Sequence, residues 1–172
     1  MKKNIIIFGL IAGIVVSVPM LFLTSTDSVD FEKGMLIGYS SMLIAFSLVY
    51  VGIKNYRDKY NNGTISFGKA FKIGSIIVLI ASTMYVVTWL INFFYFVPDF
   101  TEKYAEHMIN GLKQNGASVM EIEQKTKEMA EFSTMYKNPF FNAMITYTEI
   151  LPVGFLVTLI SSFILKRKSI AQ

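Results

Sequence analysis

The sequence predicts an all-α fold: a four-helix transmembrane bundle with an extracytoplasmic helical hairpin between helices 3 and 4, the whole of residues 1–172 forming a single membrane domain. Three observations predict it. Four apolar stretches, Ile5–Leu23, Met35–Ile53, Ile73–Val97 and Phe140–Leu165, run through the 172 residues. Each is roughly 19 residues or longer, about what a helix rising 1.5 Å per residue needs to cross ~30 Å of hydrocarbon. Charged residues make up 16% of the chain, where soluble domains carry about 25%, and the four stretches hold almost none of them. Four buried helices of a soluble bundle would show polar stripes at helical period, and these stretches lack them. Finally, the sign of the charge alternates from one connection to the next.

The first helix, about residues 5–24, follows Met1-Lys-Lys. Its apolar run outlasts the roughly 7–15 residues of a secretory signal, and Thr24-Ser-Thr-Asp27 makes a poor cleavage site, so a retained helix is expected. The second helix, about 35–54, ends in a basic segment. There Asn61-Asn-Gly-Thr64 signals a turn. Ile65–Lys72 reads as an interfacial run into the third helix, about 72–97. The connection that follows is too long for a bare linker. Asp99-Phe-Thr-Glu102 fits a capping box with an acidic cap, and Ser118-Val-Met-Glu121 fits the standard form. Asn115-Gly116 suits a helix end and turn between them. Phe100, Tyr104, Met108 and Leu112 fall at i, i+4 spacing. Val119, Ile122, Thr126, Met129, Phe132 and Tyr136 make a second stripe. A hairpin over about 99–137, with helices near 100–114 and 119–137, is therefore expected. Asn138-Pro139 closes it and caps the fourth helix, about 140–165.

Charge sets the orientation. With the N-terminus inside, segments 1–4, 54–72 and 166–172 hold ten Lys and Arg against the single acid Asp58. The outside segments, 24–34 and 98–139, hold six Lys against ten acids. Lys and Arg concentrate on the cytoplasmic side of short connections, so both termini are expected in the cytoplasm, with the chain in a bacterial inner membrane. The pI of 9.2 then reflects orientation and contact with the lipid bilayer. Nucleic-acid binding is not expected, since no continuous basic face with base-stacking aromatics appears. Cysteine is absent, which removes disulfides, thiolate metal sites and thiol catalysis.

Two parts of the chain resemble a known family. Gly63-Thr-Ile-Ser-Phe-Gly-Lys-Ala-Phe-Lys-Ile-Gly74 resembles its central segment. Lys137-Asn-Pro-Phe-Phe, Glu149-Ile-Leu-Pro-Val-Gly154 and Leu165-Lys-Arg-Lys168 resemble its C-terminal signature. The family is the domain of unknown function 4199 (DUF4199) family, small bacterial integral membrane proteins. The resemblance covers nearly the whole chain. It implies four transmembrane helices and no particular activity.

Glu149 leads the candidate sites, because an ionisable group in hydrocarbon costs at least about 2.5–3.5 kcal/mol and is a functional candidate by default. It lies eight residues past Phe141, about 12 Å deep at 1.5 Å per residue. Equal depth falls near Ser17, Ser41–Met42 and Trp89, so Ser17, Tyr39, Ser41, Thr88 and Asn92 are expected to form one polar layer with it. Three readings stay open: a proton or cation site, a protonated glutamate gluing neighbouring helices by hydrogen bonds, or a glutamate near enough to the surface for water to reach it. Gly9-x3-Gly13-x3-Ser17 and Gly34-x3-Gly38 put small residues on single helix faces. Packing within the chain is the plainer use of those faces, and a homodimer is the other. His107, with Glu102, Glu106 and Glu123 nearby, reads as solvated, and no metal or cofactor is expected. Ser17, Ser40 and Ser82 lack a His or Lys partner at plausible depth. No phosphate-binding loop, GxGxxG or HExxH occurs. The expected function is non-enzymatic: packing with or supporting a membrane or envelope partner, through the bundle or the hairpin 99–137. The alternative is a small transporter, channel or proton-coupled carrier centred on Glu149. The orientation is directly testable. Reporter fusions after Tyr60 and Gln172 should act as cytoplasmic and one after Asn115 as external; an external signal at Tyr60 would overturn the charge argument.

Overall fold

Six helices account for almost all of the computed structural model, which describes residues 2–24 and 31–167. They are α1 (Lys2–Thr24), α2 (Phe31–Tyr60), α3 (Phe67–Tyr95), α4 (Phe100–Gln114), α5 (Val119–Tyr136) and α6 (Pro139–Leu165). Lys168, the residues after it, and the 25–30 part of the first connection lie outside the described residues. Helices α1, α2, α3 and α6 are each long and apolar enough to cross a membrane. Helices α4 and α5 pair as a hairpin at one end of the bundle, here called the hairpin end. The opposite end carries the basic segments.

Two helices run past their apolar stretches. Helix α2 continues through Lys54, Arg57 and Lys59, residues of good helix propensity, until Asn62 (φ 49°) and Gly63 (φ 74°) turn the backbone left-handed. Helix α3 begins at Phe67 rather than near 72. Ser66 caps it, accepting from Lys69 N at 3.4 Å, so the expected interfacial run is its first turn and a half. In the hairpin one expected cap forms and one does not. The Ser118 hydroxyl accepts from Glu121 N, and the Glu121 carboxylate accepts from Ser118 N at 2.8 Å. The Ser118 backbone N–H first, and its hydroxyl second, donate to the Glu121 carboxylate and hold it below the usual glutamate range. Their contribution is therefore present above glutamate's ordinary pKa and lost as pH falls through the lower folded value. Asp99, by contrast, sits at φ −88°, ψ 4°, not the extended backbone a cap requires. Its carboxylate takes Lys103 Nζ instead, at 2.8 Å. Asn138 caps α6 as expected, accepting from Phe140 N and Phe141 N with Pro139 at the first helical position.

The bundle closes as a ring: α1 packs on α2 and α3, α6 packs on α3 and α2, and α2 meets α3 across the middle. Glycines set the approach. A Cβ on Gly9 would stand 2.7 Å from Ile80 Cβ, and one on Gly13 would stand 2.9 Å from Met84 Cβ. Gly74 faces Thr158, Val49 and Ile53, and Gly154 faces Val78 and Phe46. Gly154, Thr158 and Ser162 recur every four residues on α6, all buried, and form the α3-facing seam. Around these seams Phe46, Val49, Ile53, Ile77, Val78 and Ile150 are fully buried. Gly34 and Gly38 behave differently. They continue the inward stripe of α2 that runs through Ser41, Ala45, Val49 and Gly52, yet a Cβ on either meets nothing within 4 Å among the described residues. That glycine pair does not seat a helix of its own chain. No residue of α2 before Ser41 is buried.

At the basic end the turn 61–66 folds onto the residues after α6. Ile65 and Arg167 exchange backbone bonds of 3.1 and 2.9 Å. Arg57, only 9% exposed, donates to Leu165 O at 3.5 Å and to the Asp58 carboxylate at 2.7 Å.

The two kinds of glycine should separate in thermal melts of the purified protein in detergent. Gly154→Ala should lose about 1–3 kcal/mol, the usual cost of overpacking a filled seam. Gly38→Ala should be neutral or gain up to about 1 kcal/mol from helix propensity.

Candidate functional site

Glycine contacts fix the level of each polar residue. Gly154 meets Val78 on α3 and Phe46 on α2. Glu149 lies five residues before Gly154, which brings it level with Thr83 and Ser41, the positions five residues from those contacts toward the hairpin end. Tyr147 agrees, its hydroxyl donating to Thr83 Oγ1 at 2.9 Å. Trp89 is six residues further along α3, about 9 Å toward the hairpin at 1.5 Å per residue. Glu149 is ten residues inside α6, close to the middle of the bundle's length.

The expected single polar layer is not formed. Of its members Ser41 shares the level of Glu149 and Tyr39 lies about 3 Å nearer the hairpin at 1.5 Å per residue; Ser41 Oγ donates to Gly38 O at 2.7 Å within its own helix. Gly13 lies beside Met84, so Ser17 comes level with Thr88, about a turn and a half above Glu149. Ser17 is buried with its hydroxyl unpaired among the described residues, and Thr88 donates to Met84 O. Asn92 belongs to the rim, where it donates to Thr24 Oγ1 at 2.9 Å. Tyr39 is exposed on α2. The layer fails because depth cannot be counted from the ends of apolar stretches that do not lie in one plane. Helix α3 extends to Tyr95, while α6 starts lower, under the hairpin.

Glu149 itself is exposed on the side of the bundle. Among the described residues it makes no hydrogen bond or ion pair. Its electrostatic neighbours are tyrosines: Tyr85 lies within reach of Glu149, Tyr136 and Tyr39, and Tyr136 also lies within reach of Glu149.

An aromatic cluster, which the residue pattern alone did not assemble, roofs the site. Trp89 Nε1 donates to Tyr136 Oη at 2.9 Å. Phe93 meets the Tyr136 ring edge-on at 5.2 Å, and Phe100 meets Trp89 at 5.0 Å. Fully buried Asn142 donates to Tyr136 O at 3.4 Å. Phe31, opening α2, rests on Phe100, Tyr104 and His107 of α4. His107 is thus a stacking partner. Burial pushes the Tyr136 phenol up to about 12, against the opposing hydrogen bond from Trp89. The available signal was a Trp in the last turns of one span and a Tyr at the end of the hairpin stripe.

Tyr136 is the hinge pin of hairpin and bundle. Tyr136→Phe leaves the buried Trp89 N–H without its acceptor, which should cost about 1–3 kcal/mol. Thermal melts in detergent check it, and an unchanged melting temperature would sink the claim.

The family model described as a protein of unknown function (DUF4199) matches residues 6–167, nearly the whole chain. No curated protein and no solved structure matches it.

Proposed function

The chain belongs to the DUF4199 family of proteins of unknown function, and on that footing we propose that it is a non-enzymatic multi-pass membrane protein that packs with or supports a membrane or envelope partner through the side of its bundle. The observation that carries this reading is the exposed carboxyl of Glu149 near mid-length of a surface that lipid would otherwise cover. Left in hydrocarbon, such a group costs at least about 2.5–3.5 kcal/mol. A partner helix that supplies its hydrogen bonds removes that cost. Among the described residues the carboxyl makes no hydrogen bond or ion pair, which speaks against a purely internal structural role. Fully buried Ile150 next to it, with fully buried Phe46 and Val78 about a turn and a half further from the hairpin, favours a packed wall over a conduit.

The bundle would sit in the bacterial cytoplasmic membrane with the basic end inside and the hairpin outside. Exposed Lys54, Lys72 and Lys166 at one end, and Glu102, Glu123 and Glu131 exposed on the hairpin, support that orientation. A non-enzymatic role is supported by two hydroxyls level with Glu149 that are already engaged, Ser41 within its own helix and Thr83 with Tyr147.

The reading has a measurable consequence. In purified protein, Glu149→Leu should melt within about 0.5 kcal/mol of the original, as surface substitutions do. In native membranes the same variant should lose its cross-linked complex. A loss of 1–2 kcal/mol in the purified chain, the size of a lost interhelical bond, would place the partner of Glu149 inside the chain and end this proposal. An ion or proton flux abolished by Glu149→Gln would move the site to the carrier class.

A further inference from the structure

We infer that the cleft between the start of α3 and the end of α6 binds one anionic phospholipid, with its phosphate at Lys72 and Lys166 and one acyl chain along a track of four phenylalanine rings. This goes beyond the partner reading above and does not rest on it.

Three contacts set α6 against α3. Gly74 faces Thr158, Gly154 faces Val78, and Ile65 pairs with Arg167; in each the two residue numbers add to 232. The two helices therefore keep one antiparallel register to the basic end, and Lys166 is level with Ser66, the cap of α3. Lys166 Nζ lies 4.8 Å from the Phe163 ring centroid. The Phe163 ring is 4.7 Å from that of Phe67. Phe67 stacks on Phe71 at 6.0 Å, and Phe71 on Phe155 at 6.5 Å. The four rings make one line from the lysine toward the middle of the bundle, and none of them is buried. Phe155 is level with residue 77 of α3, so the line runs about 16 Å at 1.5 Å per residue. One leaflet is half of ~30 Å of hydrocarbon, and the track has that length.

Charge chooses the lipid. Lys72 lies one turn after Gly68 on the same face of α3, and helix side chains lean toward the N-terminus. A Cβ on Gly68 meets nothing within 4 Å among the described residues, so the way from Lys72 to the first turn of α3 is clear of them. Lys72 and Lys166 are exposed, and neither has an acid partner among the described residues. Asp58 is the one acid in residues 54–72 and 166–167, and Arg57 takes it at 2.7 Å. Lys69 is held by Asn61 at 2.8 Å. The counter-charge for Lys72 and Lys166 therefore comes from outside the chain. Basic pockets between spans recognise anionic headgroups in this way. A zwitterionic lipid brings its own cation, so a headgroup of net negative charge is the complement. Inorganic phosphate would leave the rings uncovered. A partner helix would run the whole span, whereas the track stops at its middle.

Native mass spectrometry of the intact purified chain tests this, with dioleoyl phosphatidylglycerol and dioleoyl phosphatidylcholine supplied in equal amounts. The expected adduct is one phosphatidylglycerol per chain, favoured about tenfold over phosphatidylcholine. Lys72→Gln combined with Lys166→Gln should lower that adduct by about tenfold or more, since each lysine near an anionic surface is worth about fivefold. Lys54→Gln combined with Lys59→Gln removes the same charge from exposed positions of α2 and should leave the adduct within about twofold. Both lysine pairs should melt like the original, so that a lost adduct is not a lost fold. Phe155→Ala should weaken the adduct while keeping the preference for phosphatidylglycerol, because the lysines remain. Equal adducts of the two lipids, or an equal loss from the α2 pair, overturn the site. Displacement of the lipid by excess inorganic phosphate moves the lysines to a free anion and overturns the lipid. An undiminished adduct in Phe155→Ala overturns the track. In native membranes a photo-cross-linking residue at Phe163 should label lipid, and a protein adduct there overturns the proposal while leaving the Glu149 reading intact.

Discussion

The close contact of α6 with α3 and α2 at Gly74 and Gly154 is the constraint from which the rest of the arrangement follows. Each glycine lies against side chains of two other helices, Thr158 with Val49 and Ile53 in one case, Val78 with Phe46 in the other. Absence of a side chain at those two points lets the backbones approach and fixes the register of three helices at once. Registers fix depths. Glu149 is level with Ser41 and Thr83 because Gly154 is level with Phe46 and Val78. Trp89 falls beneath the hairpin for the same reason.

Most of the architecture was legible in the residues because length and hydropathy are coarse, redundant signals. Four spans and a helical hairpin survive a shift of several residues in any boundary. Two caps, Ser118 and Asn138, were readable because a short polar side chain followed at fixed distance by the right partner has few other uses. Asp99 was misread because its carboxylate had a competitor, Lys103, one turn on. The polar layer around Glu149 was misread for a different reason: it depended on stagger between helices. Stagger is set by which small residues meet which side chains across the bundle, and no single-helix periodicity contains that. The same blindness made Gly9-x3-Gly13 and Gly34-x3-Gly38 look alike. One pair lies against Ile80 and Met84, and a Cβ on either of the other pair meets no described residue within 4 Å.

The segments that carry the family resemblance turn out to be joints. The stretch from Gly63 to Gly74 contains the turn, the Ser66 cap, the bridge at Ile65 and the glycine facing Thr158. Asn138-Pro139 is the corner between hairpin and bundle. Glu149 to Gly154 spans the exposed carboxyl and the tightest seam. A motif of this kind reports where a chain bends, caps and closes. It is compatible with many activities, and the activity must be sought on the one feature in it that no joint requires, the carboxyl.

The pairing of Ile65 with Arg167, reinforced by Arg57 on Leu165 O, has a consequence for the order of assembly. The two halves of this clasp are made about a hundred residues apart, at roughly 5–20 residues per second. The first three spans therefore wait in the bilayer for several seconds with the Thr158-facing side of Gly74 uncovered and the Arg57 guanidinium lacking its carbonyl. During that interval the growing chain presents a narrow glycine-lined surface and a half-solvated arginine, the features a membrane chaperone or protease can recognise. Arrival of α6 hides both in one step, so the finished chain is distinguished from the unfinished one at the membrane surface as well as within it.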